Sequence, residues 1–176
     1  HFIEKCPSTN VLAHELLNKN EAIDGEVIIC ETQSLGKGQQ GNVWESEPTK
    51  NLTFSVILTP KFLQVENQFL LNSIISLAIF DVLHELMPNE VKIKWPNDVL
   101  LRGEKVSGIL LESFNCRNKN YIIIGIGINL SHHPEGNLYP ATNLLDNISA
   151  KSFKLSPSGI LDILIDRFET INEIYF

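Results

Sequence analysis

The chain has 176 residues, 43% of them apolar and 20% charged. That length makes one domain and buries roughly 70% of the unfolded surface without staples. Fourteen Lys and Arg against 21 Asp and Glu give a net charge of −7, which argues against a general DNA or RNA binder, because such affinity rests on neutralising phosphates.

Three cysteines, Cys6, Cys30 and Cys116, are widely spaced and form no C-x-x-C pair. They read as free thiols in a reducing, cytoplasmic setting, and neither a disulfide framework nor a zinc site is expected. The apolar run Tyr121–Leu130, read as the longest, is too short to cross a bilayer. No signal peptide opens the chain, so no membrane partner is expected. His1 stands where an initiator Met would be, as in a chain whose start has been trimmed or replaced.

In chain order, Ser8-Thr9-Asn10 supply three capping-type residues ahead of Val11, Leu12, Leu16 and Leu17, a spacing that predicts a short helix. Gly25 to Gln33 reads as a strand, Ser34 to Lys50 as a long glycine-bearing loop, and Asn51 to Leu58 as a second strand. From about Asn67 to Leu86 the apolar positions cover more than a narrow stripe, which predicts a buried helix stopped by Pro88. Val91, Ile93 and Trp95 alternate with Lys92 and Lys94, the period of a strand with one polar face. Asp98 to Leu101 then turns at Arg102-Gly103 into Lys105 to Ser113, and Tyr121 to Leu130 forms a central strand. Ser131 to Lys154 is loop-like. Ile160, Leu164, Phe168, Ile171 and Tyr175 recur at helical spacing up to the last residue. The order predicts an α+β fold with a mixed, largely antiparallel sheet flanked by helices.

Three segments carry candidate chemistry. Gly36-Lys37-Gly38-Gln39-Gln40-Gly41 matches G-x-G-x-x-G, but the helix that a dinucleotide fingerprint requires does not follow. It reads either as a loop whose N–H groups close over an anion or as a plain flexible loop. Lys94-Trp95-Pro96-Asn97-Asp98, with Lys105 and Gly108 on the return strand, suits a site for a carboxylate, a triphosphate and Mg²⁺. The bland reading is a solvated hairpin. Gly125 and Gly127 lie inside an apolar strand, where the close approach of a ligand or a neighbouring backbone, or else a bulge, explains them equally. Asn129 at its exit offers an amide to a base edge or hydroxyl. His132 and His133 are adjacent, so their side chains diverge, and no third metal ligand accompanies them.

Taken together and in this order, Ser8-Thr9-Asn10, the stretch Glu31 to Trp44, Lys94-Trp95-Pro96-Asn97-Asp98, Lys105 with Ser107-Gly108-Ile109-Leu110, and Gly125-Ile126-Gly127-Ile128-Asn129 resemble biotin–protein ligases (biotin–[acetyl-CoA-carboxylase] ligases) over nearly the whole chain. The resemblance implies a fold like that of class II aminoacyl-tRNA synthetases and lipoate ligases. It implies an ATP- and Mg²⁺-dependent enzyme that forms biotinyl-5′-AMP and passes biotin to a lysine of a biotin carboxyl carrier domain. The catalytic residues it implies are Lys105, Lys94 and Asp98, with Asp98 also a candidate Mg²⁺ ligand and a candidate acceptor for the carrier lysine's proton. Biotin contacts fall to Ser8, Thr9, Asn10, Gln33, Gly36, Lys37, Gly38, Gln39, Lys105 and Gly108. ATP or adenylate contacts fall to Lys37, Gln39, Gln40, Trp44, Lys94, Asn97 and Asn129.

Residues 1–176 are then expected to be one catalytic domain with no N-terminal winged helix and with the small C-terminal β-barrel absent or cut off. A homodimer through a sheet edge is an open expectation. Many relatives carry G-R-G-R-R-G where this chain has Lys37, Gln39 and Gln40. Gln cannot replace the forked, charged contact of Arg with phosphate, so a looser hold on the adenylate is expected. Lipoate–protein ligase, and a biotin-binding module without catalysis, are the rival readings.

Overall fold

The computed structural model describes residues 1–59, 68–134, 140–147 and 159–167. Strand β1 (Phe2–Cys6) leads into helix α1 (Thr9–Lys19) and strand β2 (Val27–Gln33), followed by β3 (Asn51–Leu58) and helix α2 (Gln68–Leu86). Then come β4 (Val91–Lys94), β5 (Asp98–Leu101), β6 (Glu104–Cys116) and β7 (Lys119–Asn129). The seven strands form one sheet in the order β1-β2-β3-β7-β6-β5-β4. Only β1 and β2 pair in parallel, through the α1 crossover; the other five pairings are antiparallel. The mixed, largely antiparallel α+β sheet expected from the sequence is the one found.

Local chemistry sets the turns. Asn20, in the left-handed region, ends α1, and its N–H reaches back to Leu16 and Leu17 carbonyls, the role glycine usually takes. Arg117 and Asn118 both have positive φ, the twist that a two-residue hairpin between β6 and β7 demands. The sheet is covered on both faces. Ile28, Ile57 and Ile123 pack with Ala13 and Leu17 of α1. Phe54, Val56, Ile122, Ile124, Ile126 and Ile128 pack with Leu71, Ile75, Ile79, Val82 and Leu83 of α2. This alternation along β7 is the period-2 rule with both faces buried.

Four expectations need adjusting. Strand β1 was not anticipated: Phe2, Glu4 and Lys5 are exposed and only Cys6 is buried, so the segment carries no hydrophobic signature. Trp95 is not in a strand; β4 ends at Lys94, and Trp95 is 72% exposed in the turn that follows. The hairpin is longer at its tip than expected, because β6 and β7 remain paired to Cys116 and Lys119. Among the described residues Phe69–Leu86, and not Tyr121–Leu130 alone, had to be weighed against a bilayer: it is a helix long and apolar enough by composition to cross one, and here it packs on the sheet. At the C-terminal end residues 159–167 are helical, with Ile160, Leu161 and Leu164 in the core. Phe168, Ile171 and Tyr175 of the expected helix lie outside the described residues, as does Asn67.

Candidate active site

The register lines up one row across four strands: Lys94 opposite Asp98, Asp98 opposite Gly108, and Gly108 opposite Gly127. The next row runs Leu110, Gly125 and Ser55. Both rows are on the α1 face, because cross-strand partners share a face and Ile123, two and four residues along from the glycines, packs under α1. Strict alternation would put Lys105 on the opposite face from Gly108. A bulge between β5 and β6 takes up Val106, so Leu100 pairs with Lys105 while Val99 pairs with Ser107. The extra residue re-aims the side chain before it, and Lys105 Nζ ends near Gly108, 3.1 Å from where a Cβ would be.

The two glycines of β7 make room for specific neighbours. A Cβ on Gly125 would lie 2.4 Å from Asn10 Oδ1, and one on Gly127 would lie 2.3 Å from the Trp44 ring. Close approach, rather than a bulge, therefore accounts for both. Asn10 comes from the first turn of α1. Ser8 is the N-cap of that helix, but its side chain makes no capping bond; Leu12 N–H donates to the Ser8 carbonyl at 3.0 Å instead. The helix thus starts without spending the Ser8 hydroxyl. Trp44 ends a small fold-back made by the G-x-G-x-x-G stretch. Trp44 N–H donates to Gly36 O at 3.0 Å, Lys37 bridges to Val43, and Gly38 N–H donates to Asn42 O at 2.7 Å. Gln39–Gly41 forms the turn at the tip. The expected long loop is a tight hairpin over this part of its length.

These elements enclose a hollow of about 430 Å³ that is continuous with solvent. Ser8, Thr9, Asn10, Gln33, Lys37, Gly38, Gln39, Trp44, Asn97, Lys105 and Gly108, all singled out in the sequence, line it. Ile109, Leu110, Gly125, Ile126 and Gly127 line it as well. Among the described residues Lys37 and Lys105 are its charged members and no carboxylate lines it, although the protein as a whole has a net charge of −7. The hollow suits an acidic ligand with an apolar body.

Five sequence candidates fall outside the lining. Gly36 is in the base of the hairpin, and Gln40, with φ 55, is exposed at its tip. Asn129 is 2% exposed with both amide ends engaged: its oxygen accepts from Asn51 Nδ2 at 2.9 Å and its Nδ2 donates to Thr142 O at 3.0 Å. It fastens the 140–147 segment to the sheet. Asp98 and Lys94 stand behind Lys105. Asp98 Oδ1 is 2.7 Å from Lys105 Nζ, and Oδ2 is 3.7 Å from Lys94 Nζ. Asp98 Oδ1 is buried and ion-paired with the Lys105 ammonium. A carboxylate keeps further lone pairs beside such a pair, and one carboxylate is what Mg²⁺ asks of a site where phosphates and water supply the other ligands. Among the described residues no three His, Cys, Asp or Glu side chains gather into a metal cage.

Sequence reasoning missed the residues that hold this lining. Asn72, on α2, donates through Nδ2 to the Pro96 carbonyl, and Asn97 Nδ2 donates to Ile109 O at 3.1 Å; together they pin the turn before Asp98. Ser55 and Glu112 back Asn10, with Ser55 Oγ 2.6 Å from Asn10 Oδ1 and Asn10 Nδ2 donating to Glu112 Oε2 at 2.7 Å. A polar residue on an otherwise apolar buried face is the signal that would have found Ser55. Burial, with Cys30 and Glu15 nearby, pushes the Cys6 thiol up to about 12, so Cys6 is not a nucleophile for this site.

The model of the biotin/lipoate A/B protein ligase family matches residues 2–129. The bifunctional ligase/repressor BirA of Bacillus subtilis is 32% identical over 165 residues, covering 92% of this chain and 50% of the relative. The biotin–[acetyl-CoA-carboxylase] ligase of Mycobacterium tuberculosis is 35% identical over 127 residues, 70% of this chain and 46% of the relative. The chain thus spans about half the length of these curated relatives. Among solved structures, biotin protein ligase from Aquifex aeolicus in complex with biotin and ATP superposes with a TM-score of 0.78 at 29% identity, over 97% of this chain and 68% of that one. A matching family model over residues 2–129, the sheet order and the shared fold lead to one assignment: the chain belongs to the biotin/lipoate A/B protein ligase family.

Proposed function

We propose that this chain carries the ligase chemistry of its relatives: it joins biotin to ATP as biotinyl-5′-AMP and transfers the biotinyl group to a lysine of a biotin carboxyl carrier domain. The observation that carries this reading is the hollow, polar and uncharged where Thr9 meets Gln33 beside Asn10, and lined as well by the cationic Lys37 and Lys105. The named similarity to biotin ligases, one solved with biotin and ATP, favours biotin over lipoate as the acid.

In the first step the biotin carboxylate oxygen attacks the α-phosphorus, the bond to the bridging oxygen breaks, and pyrophosphate leaves. Two anions must meet at attack distance, and fixed positive charge in a low-dielectric site removes most of that repulsion. Lys105 neutralises the carboxylate and then the acyl-phosphate oxygen. Lys37, on the hairpin, does the same for the phosphate. Asp98 and Lys94 form the charged group behind Lys105, and Asp98 orients its ammonium. Mg²⁺, when bound, shields phosphate charge, with Asp98 its protein ligand. In the second step the carrier lysine, having lost a proton, attacks the acyl carbonyl and AMP leaves. Trp44 and Asn97 meet the nucleotide, and the Gly36–Gly41 hairpin covers the anhydride against water. Gln39 and Gln40 bring no charge to that cover.

The test is ATP-dependent transfer of labelled biotin to a purified carrier domain, run beside Lys105→Ala. Transfer is expected with the unchanged chain, falling on the order of 10²-fold or more in the variant, the scale of losing one preorganised charge. Biotin binding without any transfer would support a binding module instead, and lipoate transfer without biotin transfer would reassign the acid.

A further inference from the structure

The polar end of the hollow is built as a directional relay. Glu112 Oε2 accepts from Asn10 Nδ2 at 2.7 Å. A carboxylate only accepts, so it fixes which end of the Asn10 amide points where. Asn10 Oδ1 is then turned to Ser55 Oγ at 2.6 Å, and Ser55 Oγ is 2.7 Å from Thr9 Oγ1. Ser55 has one hydroxyl proton. Asn10 Oδ1 has none, so the Ser55 proton goes there, and the proton between the two hydroxyls, 2.7 Å apart, then comes from Thr9, whose other acceptor, Gln33 Oε1, is farther off at 3.3 Å. That consumes the Thr9 hydroxyl proton on the sheet side. Gln33 Oε1 meanwhile accepts from Thr9 N–H at 2.8 Å.

The consequence is polarity. Thr9 Oγ1 and Asn10 Oδ1 have given or received every proton within the protein, and both residues line the hollow. What they have left for a ligand is lone pairs. Glu112 in turn is 3.6 Å from His14 Nε2 through the same oxygen, and the His14 ring stands edge-on to Phe114 at 4.5 Å. The anion at the end of the relay is therefore itself held in place.

We propose that Glu112 is a positioning residue that sets the hydrogen-bond sense of Asn10, Ser55 and Thr9, so that this end of the hollow accepts from N–H donors and selects a cyclic urea over an otherwise similar ring without N–H. The proposal rests on the biotin reading and adds a residue that does not line the hollow. A neutral amide at position 112 can donate as well as accept, so the relay loses its fixed sense while its shape is kept.

The experiment measures calorimetric affinities of the full chain for biotin and for biotin methylated on a ureido nitrogen, in the unchanged protein and in Glu112→Gln, with thermal midpoint and KM for ATP recorded alongside. The expected result is a preference for biotin over the methylated ligand that shrinks by about tenfold, the scale of one buried hydrogen bond, at an unaltered KM for ATP. Ser55→Ala interrupts the same relay from its middle and is expected to shrink the preference likewise, which keeps the test open should Glu112→Gln fold poorly. An unchanged preference in a folded variant of either kind overturns the role given to Glu112 and leaves the ligase reading intact. An unchanged protein that binds no biotin overturns both.

Discussion

Gly125 is the position where one methyl group matters most. A Cβ there would fall 2.4 Å from Asn10 Oδ1, and neither partner can yield freely: Gly125 is paired on both sides, to Ser55 and to Leu110, and Asn10 is held by Glu112 and Ser55. Gly125→Ala is therefore expected to weaken biotin binding by about tenfold or more through the displaced amide, measured by calorimetry. An unaltered Kd would mean that Asn10 has no part in holding the ligand. From sequence, this glycine is ambiguous between the close approach of a ligand or a neighbouring backbone and a bulge. The ambiguity was physical, since either cause removes the same side chain, and only the position of Asn10, over a hundred residues away in the chain, resolves it.

At the scale of elements, the buried and exposed faces of α2 make a sharp contrast. Ile79 is fully buried against the sheet, whereas Leu77, two residues earlier on the same helix, is 52% exposed. Ile79→Ala should cost about 2–5 kcal/mol from lost burial and a cavity, and Leu77→Ala no more than about 0.5 kcal/mol, both read from urea midpoints. Equal losses would contradict the packing of α2. The existence of this helix, and of β2, β3, β5 and β7, could be read from apolar spacing because each buries a regular set of positions. Strand β1 could not: its pairing with β2 is made by backbone groups, and its exposed side chains carry no period. Nor could the bulge at Val106, without which the period-2 rule puts Lys105 on the wrong face of β6. The motif named the right lysine; the register explains why it reaches the hollow.

For the whole molecule, the account comes down to charge distribution. Among its described residues an acidic protein gathers two lysines, and no carboxylate, around one hollow, and backs one of those lysines with Asp98 and Lys94. Most of the lining was legible in the sequence because it comes from short contiguous motifs. The supports were not, because Asn72, Ser55 and Glu112 act across the sheet from elements that look like ordinary core. Asn129, which looked like a ligand-facing amide, is instead consumed in joining β7 to Asn51 and Thr142. The most direct test of the central claim is exchange of labelled pyrophosphate into ATP, which reports acid activation without any carrier protein. The account predicts exchange that depends on biotin and does not proceed with lipoate in its place; exchange indifferent to biotin, or absent while biotin and ATP both bind, would contradict it.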